Sequence, residues 1–201
     1  LFDNVNYVKP GFINFILKKK VWYEVFTEIV KDKNFGFSNL GLNRKVNLEF
    51  ISANPTGPLH VGHLRGAVLG DVLSRLMIKS GFKVTKEYYV NDLGSQIENL
   101  YETVKLHIDN KINNVKKELS ENMYFGDYLK DIAYEIIEEE HQLNDHQAIK
   151  KTIIIKILSL IKRDLKDLGI SFDNYISEKE LHKEGMLNDI LEEFKKKKLV
   201  Y

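Results

Sequence analysis

The period at which apolar residues recur changes along the chain, and each change marks a predicted element. Residues 7–9 lead through a Pro-Gly turn at 10 and 11 into the apolar, aromatic run 12–17, a pattern typical of a strand pair. Apolar residues between 21 and 31 recur at helical spacing. The glycines and asparagines of residues 34–43 then predict a linker loop and a domain boundary.

A strand, a long helix and a second strand follow at residues 46–51, 60–79 and 84–90. The helix is amphipathic, and its apolar stripe consists of Val61, Leu64, Val68, Val72 and Leu76. A strand, one crossover helix and another strand predict a parallel pair with a right-handed connection. Because ligands bind beyond the carboxyl ends of such strands, we expect a site formed by residues 52–63 and 91–96.

The rest of the chain is mostly helical in pattern. From residue 97 to about 166, charged positions surround stripes of isoleucine and leucine, and Asp92 or Ser95 is the expected N-cap of the first helix. Residues 171–177 predict a short break, and residues 178–198 predict one last helix. The strands and helices together predict an α/β protein.

The composition excludes some classes of site but does not identify the function. The 201 residues contain no cysteine, which excludes disulfides and thiolate zinc sites. The net charge is +1, and the small basic excess of residues 1–100, 13 Lys and Arg against 9 Asp and Glu, does not by itself indicate a nucleic-acid partner. The most apolar run, residues 153–155, ends at Lys156, so we expect no membrane-spanning helix.

A turn rich in proline and glycine leads directly into two histidines at the start of the long helix. His60 and His63 share one helical face, where a helix presents free N–H groups and a partial positive charge. This context favours a nucleotide phosphate, whereas a bare H-x-x-H pair indicates only capping or surface histidines. Gly62 costs about 1 kcal/mol of helix stability, which predicts that a ligand approaches the backbone there. The motif runs through Ala53, Asn54, Pro55, Thr56, Gly57, Pro58, Leu59, His60, Val61, Gly62 and His63.

Longer segments carry a resemblance to a known family. The sequence HVGH at residues 60–63 resembles the HIGH signature of class I aminoacyl-tRNA synthetases, and EFISANPTGPLHVGHLRG at 49–66 resembles arginyl-tRNA synthetases in particular. Further segments similar to that family are FINF at 12–15, YYVNDLGSQ at 88–96 and FDNYISE at 172–178. The similarity runs from near residue 7 to the last residue.

The resemblance implies a partial Rossmann-like parallel sheet with a helical insertion and a remnant of an N-terminal α+β domain. It divides the chain into the end of a tRNA-contacting domain at 1–20, a helix and linker at 21–44, the first half of the nucleotide-binding fold at 45–105 and a helical insertion or connective segment at 106–201. The family's second signature, a lysine loop of the KMSKS type, is absent from these residues. The chain is therefore expected to be a fragment that is inactive alone.

The resemblance also implies substrates and catalytic residues. His60 and His63 would be catalytic, binding ATP together with Gly62 and stabilising charge at the α-phosphate. The implied substrates are L-arginine, tRNA(Arg), and ATP with Mg²⁺, with no tightly bound cofactor and no metal held by protein ligands. A cytoplasmic protein that is monomeric when full length, without a membrane partner, is implied as well.

Four further residues are implied to contact the amino acid. Glu49 and Asn54 would contact the arginine side chain, because a carboxylate pairs well with a planar guanidinium. Ser52 is expected near the amino group, and Gln96 is expected to contact the substrate. The roles left open are those of Asn91, Asp92 and Arg65.

Plainer interpretations stand beside these. Without the resemblance, Glu49 would be interpreted as a solvent-facing strand residue and Asn54 as a residue that stabilises a turn. Asp92 would be interpreted as part of an Asx turn. His141 and His146, like the lysine runs, indicate solvated surface. Two alternative functions are a small nucleotidyltransferase with an H-x-G-H turn, which the lead-in NPTGPLH disfavours, and a non-catalytic tRNA-binding module derived from a synthetase.

Overall fold

The computed structural model describes residues 1–139, 143, 145–183 and 185–200. Its strands form an antiparallel pair, β1-β2, and a three-stranded parallel sheet in the order β3-β4-β5. This arrangement confirms the predicted α/β class and the predicted parallel pair. The elements are β1 (Phe2–Val8), β2 (Phe12–Leu17), α1 (Lys19–Lys31), β3 (Lys45–Glu49), α2 (Val61–Lys79), β4 (Lys83–Val90), α3 (Ser95–Ile112), α4 (Asp127–Glu138), α5 (His146–Asp167), β5 (Asn174–Ser177), α6 (Glu178–Lys183) and α7 (Met186–Lys196).

The parallel sheet aligns the carboxyl ends of its strands. Strands β3 and β4 pair from Lys45 opposite Lys83 to Glu49 opposite Glu87, and β5 ends with Ser177 opposite Val90. The predicted break at 171–177 was therefore wrong in part, because its second half is strand β5. A strand of four residues is too short for a clear alternation of apolar and polar positions, and its pairing with β4 defines it.

Helix α2 packs against the sheet through its small residues rather than through its apolar stripe. An added Cβ at Gly70 would lie 2.2 Å from the Phe50 ring, so the absence of a side chain there lets the helix approach β3 closely. The predicted stripe stays exposed; Val68, for example, retains 49% of its accessible surface. The residues buried on α2 are Ala67, Gly70, Asp71 and Ser74.

The main core lies between the sheet and the helical segment formed by α3, α4 and α5. Helix α5 begins at the N-cap Asp145, whose carboxylate accepts hydrogen bonds from the backbone N–H groups of Gln147 (2.9 Å) and Ala148 (3.0 Å). One face of the helix is buried at every fourth position, in a stripe made of Ile149, Ile153, Ile157, Ile161 and Leu165. This stripe belongs to the same apolar cluster as Phe50, which follows β3, and as Tyr88 and Val90 of β4.

The predicted single helix at 178–198 is two helices. Helix α6 ends at Lys183, and α7 begins after Gly185, which adopts a left-handed conformation (φ +73°) that favours glycine. Among the described residues, the helices lack the combination of length and apolar character that is needed to cross a bilayer.

We expect Ile157→Ala to lower the free energy of unfolding by about 2–5 kcal/mol, because truncating a buried isoleucine removes apolar burial and leaves a cavity. Ile157 is fully buried, whereas Ile155 on the same helix is 52% exposed. The matched variant Ile155→Ala should change stability by less than about 0.5 kcal/mol. Urea unfolding of the two variants measures both values, and equal losses would contradict the position of the core.

Candidate active site

The turn that follows β3 is held by hydrogen bonds from three tyrosines. The Tyr88 hydroxyl donates to the Ala53 carbonyl (2.9 Å), and the Tyr128 hydroxyl donates to the Thr56 carbonyl (2.7 Å). The backbone N–H of Tyr89 donates to the Ser52 hydroxyl oxygen (3.0 Å). Burial raises the pKa of Tyr88, so its hydroxyl keeps the proton that it donates. The turn is therefore attached to the sheet on one side and to α4 on the other.

The chain leaves β3 through two residues in the left-handed region. Ile51 has φ +68° and Ser52 has φ +40°, and a β-branched residue rarely adopts this conformation. Such residues cost roughly 1–3 kcal/mol each and occur where surrounding contacts enforce them. Here the buried Ala53 and Pro55 and the tyrosine hydrogen bonds supply those contacts. The sharp change of direction points the turn toward the start of α2.

His60 and His63 cap helix α2 with their own side chains. His60 is the N-cap, and its Nδ1 accepts a hydrogen bond from the Gly62 backbone N–H (3.1 Å). His63 Nδ1 accepts from the backbone N–H of His60 (3.3 Å). The two rings stack with their centroids 3.8 Å apart. His60 is exposed and His63 is half-buried, so the imidazole pair faces the surface rather than the core.

These hydrogen bonds determine the tautomer of both rings. A nitrogen that accepts a hydrogen bond carries no proton, so a neutral ring that accepts at Nδ1 bears its proton at Nε2. Burial, and then the neighbouring His60, lower the pKa of His63, which keeps that ring neutral at pH 7. His60 and His63 therefore present Nε2–H donors at the N-terminus of a helix, the end that attracts anions.

Gly62 lies in contact with the His60 side chain. An added Cβ at Gly62 would lie 2.9 Å from Cε1 and 3.0 Å from Nδ1 of His60. A side chain at this position would therefore collide with the His60 imidazole. This close approach is what allows His60 to reach the Gly62 N–H.

The structure brings together two residues that the resemblance assigns to arginine binding. The Asn54 side-chain amide donates to the Gln96 side-chain oxygen over 2.8 Å. Asn54 belongs to the turn and Gln96 to the first turn of α3, so this bond links the segments that follow β3 and β4. The pairing agrees with the expected location of both residues at the carboxyl edge of the sheet.

Carboxylates collect around Tyr89 at the same edge. Burial raises the pKa of the Tyr89 hydroxyl, and Glu178, Asp92 and Glu49 raise it further, in that order. Glu49 is exposed at the end of β3. The negative potential at Tyr89 therefore comes from the ends of all three parallel strands.

The prediction that Asp92 or Ser95 is the N-cap of α3 was wrong. Gly94 is the N-cap of α3, with φ +87°. The Asp92 carboxylate instead accepts hydrogen bonds from the Ser177 hydroxyl (2.6 Å) and from the Lys179 backbone N–H (2.9 Å). It thereby fastens the end of β5 and the start of α6 to β4, which the local sequence around Asp92 does not reveal.

A recess of about 450 Å³ opens beside this edge. The sequence assigned no role to Glu178 or His182, although the segment FDNYISE that ends at Glu178 carried part of the resemblance. His182 Nε2 lies 3.9 Å from a carboxylate oxygen of Glu178. The recess is lined by Asn91, Leu93, Gly94, Ser95, Gln96, Glu178 and His182.

Other candidate groups lie elsewhere or form no site. His146 is the first residue of α5 and its ring lies 5.3 Å from that of Tyr101, whereas His141 falls outside the described residues. Arg65 is exposed on α2. In the described part of the chain, histidine and acidic residues do not form any cluster of three or more suited to a metal ion.

The known proteins with similar sequences are named as arginine–tRNA ligases. Residues 25–201 match the family described as tRNA synthetases class I (R), catalytic domain. The chain is 43% identical to an arginine–tRNA ligase of Wolbachia sp. subsp. Brugia malayi (strain TRS) and 39% identical to one of Anaplasma phagocytophilum (strain HZ). These matches span 100% and 99% of this chain, and 37% and 35% of the two relatives.

Solved structures agree in fold. A Campylobacter jejuni protein assigned as an arginyl-tRNA synthetase superimposes with a TM-score of 0.80 at 35% identity, over 92% of this chain and 42% of that one. The Thermus thermophilus arginyl-tRNA synthetase has the same fold, with a TM-score of 0.55 at 22% identity, over 97% of this chain and 32% of that one. The family match excludes the small nucleotidyltransferase. The chain belongs to the arginyl branch of the class I tRNA synthetases and contributes part of the catalytic domain.

Proposed function

We propose that this chain forms one half of the active site of an arginine–tRNA ligase, which activates L-arginine with ATP and transfers it to tRNA(Arg). The observation that carries the proposal is that the histidine-capped start of α2 and a group of carboxylates both belong to the carboxyl edge of the parallel sheet. The first suits a phosphate, and the second suits a guanidinium. Membership of the family supports the same pair of substrates.

In the activation step, an oxygen of the arginine carboxylate attacks the α-phosphorus of ATP, and the bond to the pyrophosphate oxygen breaks. Negative charge then develops on the non-bridging α-phosphate oxygens. The Nε2–H groups of His60 and His63 would donate to those oxygens, and both rings are already oriented by their Nδ1 hydrogen bonds. Because these donors are fixed before the reaction, little reorganisation accompanies the transition state.

In the transfer step, a ribose hydroxyl of the tRNA attacks the carbonyl carbon of the arginyl-adenylate, and AMP leaves. The reaction needs no covalent intermediate with the protein, so its rate depends on positioning and on charge stabilisation.

The side chain of arginine would lie near the carboxylates that surround Tyr89. The Glu49 carboxylate can accept two parallel N–H bonds from a guanidinium, which favours arginine over a monodentate cation. Asn54 and Gln96 would complete the polar wall, since they are already joined at 2.8 Å. Ser52 would lie near the amino group, held in place by the Tyr89 N–H.

The remaining expectations rest on family membership alone. They are the division at residues 20, 44 and 105, Mg²⁺ bound with ATP, a cytoplasmic location and a monomeric full-length protein. The chain spans 37% of its Wolbachia relative and contains no KMSKS-type loop. We therefore propose that residues 1–201 alone neither activate arginine nor charge tRNA.

Arginine-dependent ATP–pyrophosphate exchange tests the ligase function directly. The complete gene product that carries this chain should show exchange, and residues 1–201 alone should not. His60→Ala in the complete protein should lower the exchange rate by about 10²- to 10³-fold, the usual effect of removing one preoriented donor. His107→Gln, which changes a histidine on α3 away from the edge, should leave the rate unchanged.

Undiminished exchange in His60→Ala would contradict the role of the imidazole pair. Salt-dependent tRNA binding without any exchange by the complete protein would identify the chain as a non-catalytic tRNA-binding module instead.

Glu49→Gln should raise the KM for arginine by roughly 10- to 100-fold, because a charge-assisted hydrogen bond contributes about 1.5–3 kcal/mol. The KM for ATP should stay the same. Glu102→Gln removes a carboxylate from α3 that is also exposed, and it serves as the matched control. An unchanged KM for arginine in Glu49→Gln would show that another carboxylate binds the guanidinium.

The His63 ring should titrate below the ordinary pKa of 6.5 in an NMR pH titration of this chain, because burial and His60 disfavour its protonation. His60→Ala should move that pKa back toward 6.5. The unfolded chain binds this proton first, so His63 lowers the stability of the fold as the pH falls from about 6.5 toward the lower folded pKa. A His63 pKa above 6.5 would contradict the arrangement of the two rings.

A further inference from the structure

Tyr128 lies at the start of α4, and the sequence motifs at residues 12–15, 49–66, 88–96 and 172–178 do not include it. Its hydroxyl donates to the Thr56 carbonyl over 2.7 Å, a contact that joins residues 72 positions apart in the chain. Tyr128 is half-buried, and it packs against the core. One bond from the helical segment therefore reaches the turn that precedes the histidine pair.

Two glycines lie so close to the Tyr128 side chain that neither position has room for a Cβ atom. An added Cβ at Gly57 would lie 2.9 Å from the Tyr128 hydroxyl oxygen and 3.2 Å from Cζ. An added Cβ at Gly126 would lie 2.3 Å from Cε1 of the same ring. A side chain at Gly57 or Gly126 would displace the ring, so the fit of Tyr128 on the turn depends on both glycines.

The turn is anchored at two carbonyls from opposite sides. The Tyr88 hydroxyl holds the Ala53 carbonyl from the sheet, and the Tyr128 hydroxyl holds the Thr56 carbonyl from α4. Only three residues separate Thr56 from the N-cap His60, and one of them is a proline with a fixed φ. A shift at Thr56 is therefore transmitted to His60 over a short, stiff segment.

We propose that Tyr128 is a positioning residue, which holds the Thr56 carbonyl so that the imidazoles of His60 and His63 keep their stacked, Nδ1-accepting arrangement. Tyr128 does not itself contact the substrates. Its effect on catalysis rests on the function proposed above, whereas its effect on the two rings does not.

The Tyr128 hydroxyl can donate its hydrogen bond to the Thr56 carbonyl near neutral pH. Burial and the neighbouring Tyr124 raise the pKa of Tyr128, so it remains a protonated donor near neutral pH. The hydrogen bond to Thr56 is therefore present under the conditions in which the imidazoles act.

Tyr128→Phe removes this donor and keeps the ring. In long-range ¹H–¹⁵N spectra of residues 1–201, the wild-type rings of His60 and His63 should show the Nε2–H tautomer. In Tyr128→Phe both rings should shift toward an average of the two tautomers, while the His107 ring on α3 stays unchanged as an internal reference. Tyr134→Phe, the same change at a half-buried position of the same helix, should leave all three rings unchanged.

Gly57→Ala provides a second test that does not depend on losing the hydroxyl. Its new methyl group should displace the Tyr128 hydroxyl and perturb the same two rings. In Gly57→Ala/Tyr128→Phe the hydroxyl that collides with the methyl group is absent, so the thermal stability should recover in part while the rings stay perturbed. This outcome supports the contact even if one of the single variants folds poorly.

In the complete gene product, Tyr128→Phe should lower the kcat of exchange by roughly 10-fold and leave the KM for arginine unchanged, because a small misplacement of catalytic groups affects the transition state most. Unchanged histidine spectra in folded Tyr128→Phe would overturn the proposal. Absence of exchange in the wild-type protein would instead overturn the ligase function, and the spectra would still decide the role of Tyr128.

Discussion

The site depends on the attachment of one turn at two backbone carbonyls. Tyr88 holds Ala53 to the sheet and Tyr128 holds Thr56 to α4, so the strained exit from β3 leads to a defined start of α2. Without such contacts, left-handed Ile51 would relax to a more favourable conformation. The turn in this chain is thus stabilised by tertiary hydrogen bonds in addition to its own proline and glycine residues.

The parallel sheet explains why opposite chemistries meet at a single edge. Because all three strands run in one direction, the helix start after β3, the polar segment after β4 and Glu178 after β5 emerge on the same side. The positive end of α2 and the carboxylates near Tyr89 therefore belong to the same edge of the sheet. This combination of charges suits a ligand that has both a cationic and an anionic group.

The helical segment does more than cover the sheet. Helix α5 supplies the buried isoleucine stripe, and α4 extends one tyrosine to the turn beside the histidines. Asp92 has a comparable linking role, since it joins the end of β4 to Ser177 and α6. Contacts between distant segments therefore fix the relative positions of the groups at the edge.

The sequence alone determined the long helix at α2, the parallel strands around it, the histidine pair and the edge at which Asn54 and Gln96 meet. These features follow from apolar periodicity and from local turn chemistry, which act within a few residues. Only the tertiary structure decided that α2 buries its small face, that residues 174–177 form a strand, that Asp92 binds Ser177 and that Tyr128 holds Thr56. Such contacts join residues 72 and 85 positions apart, and the local pattern of a sequence carries no record of which distant segments become neighbours.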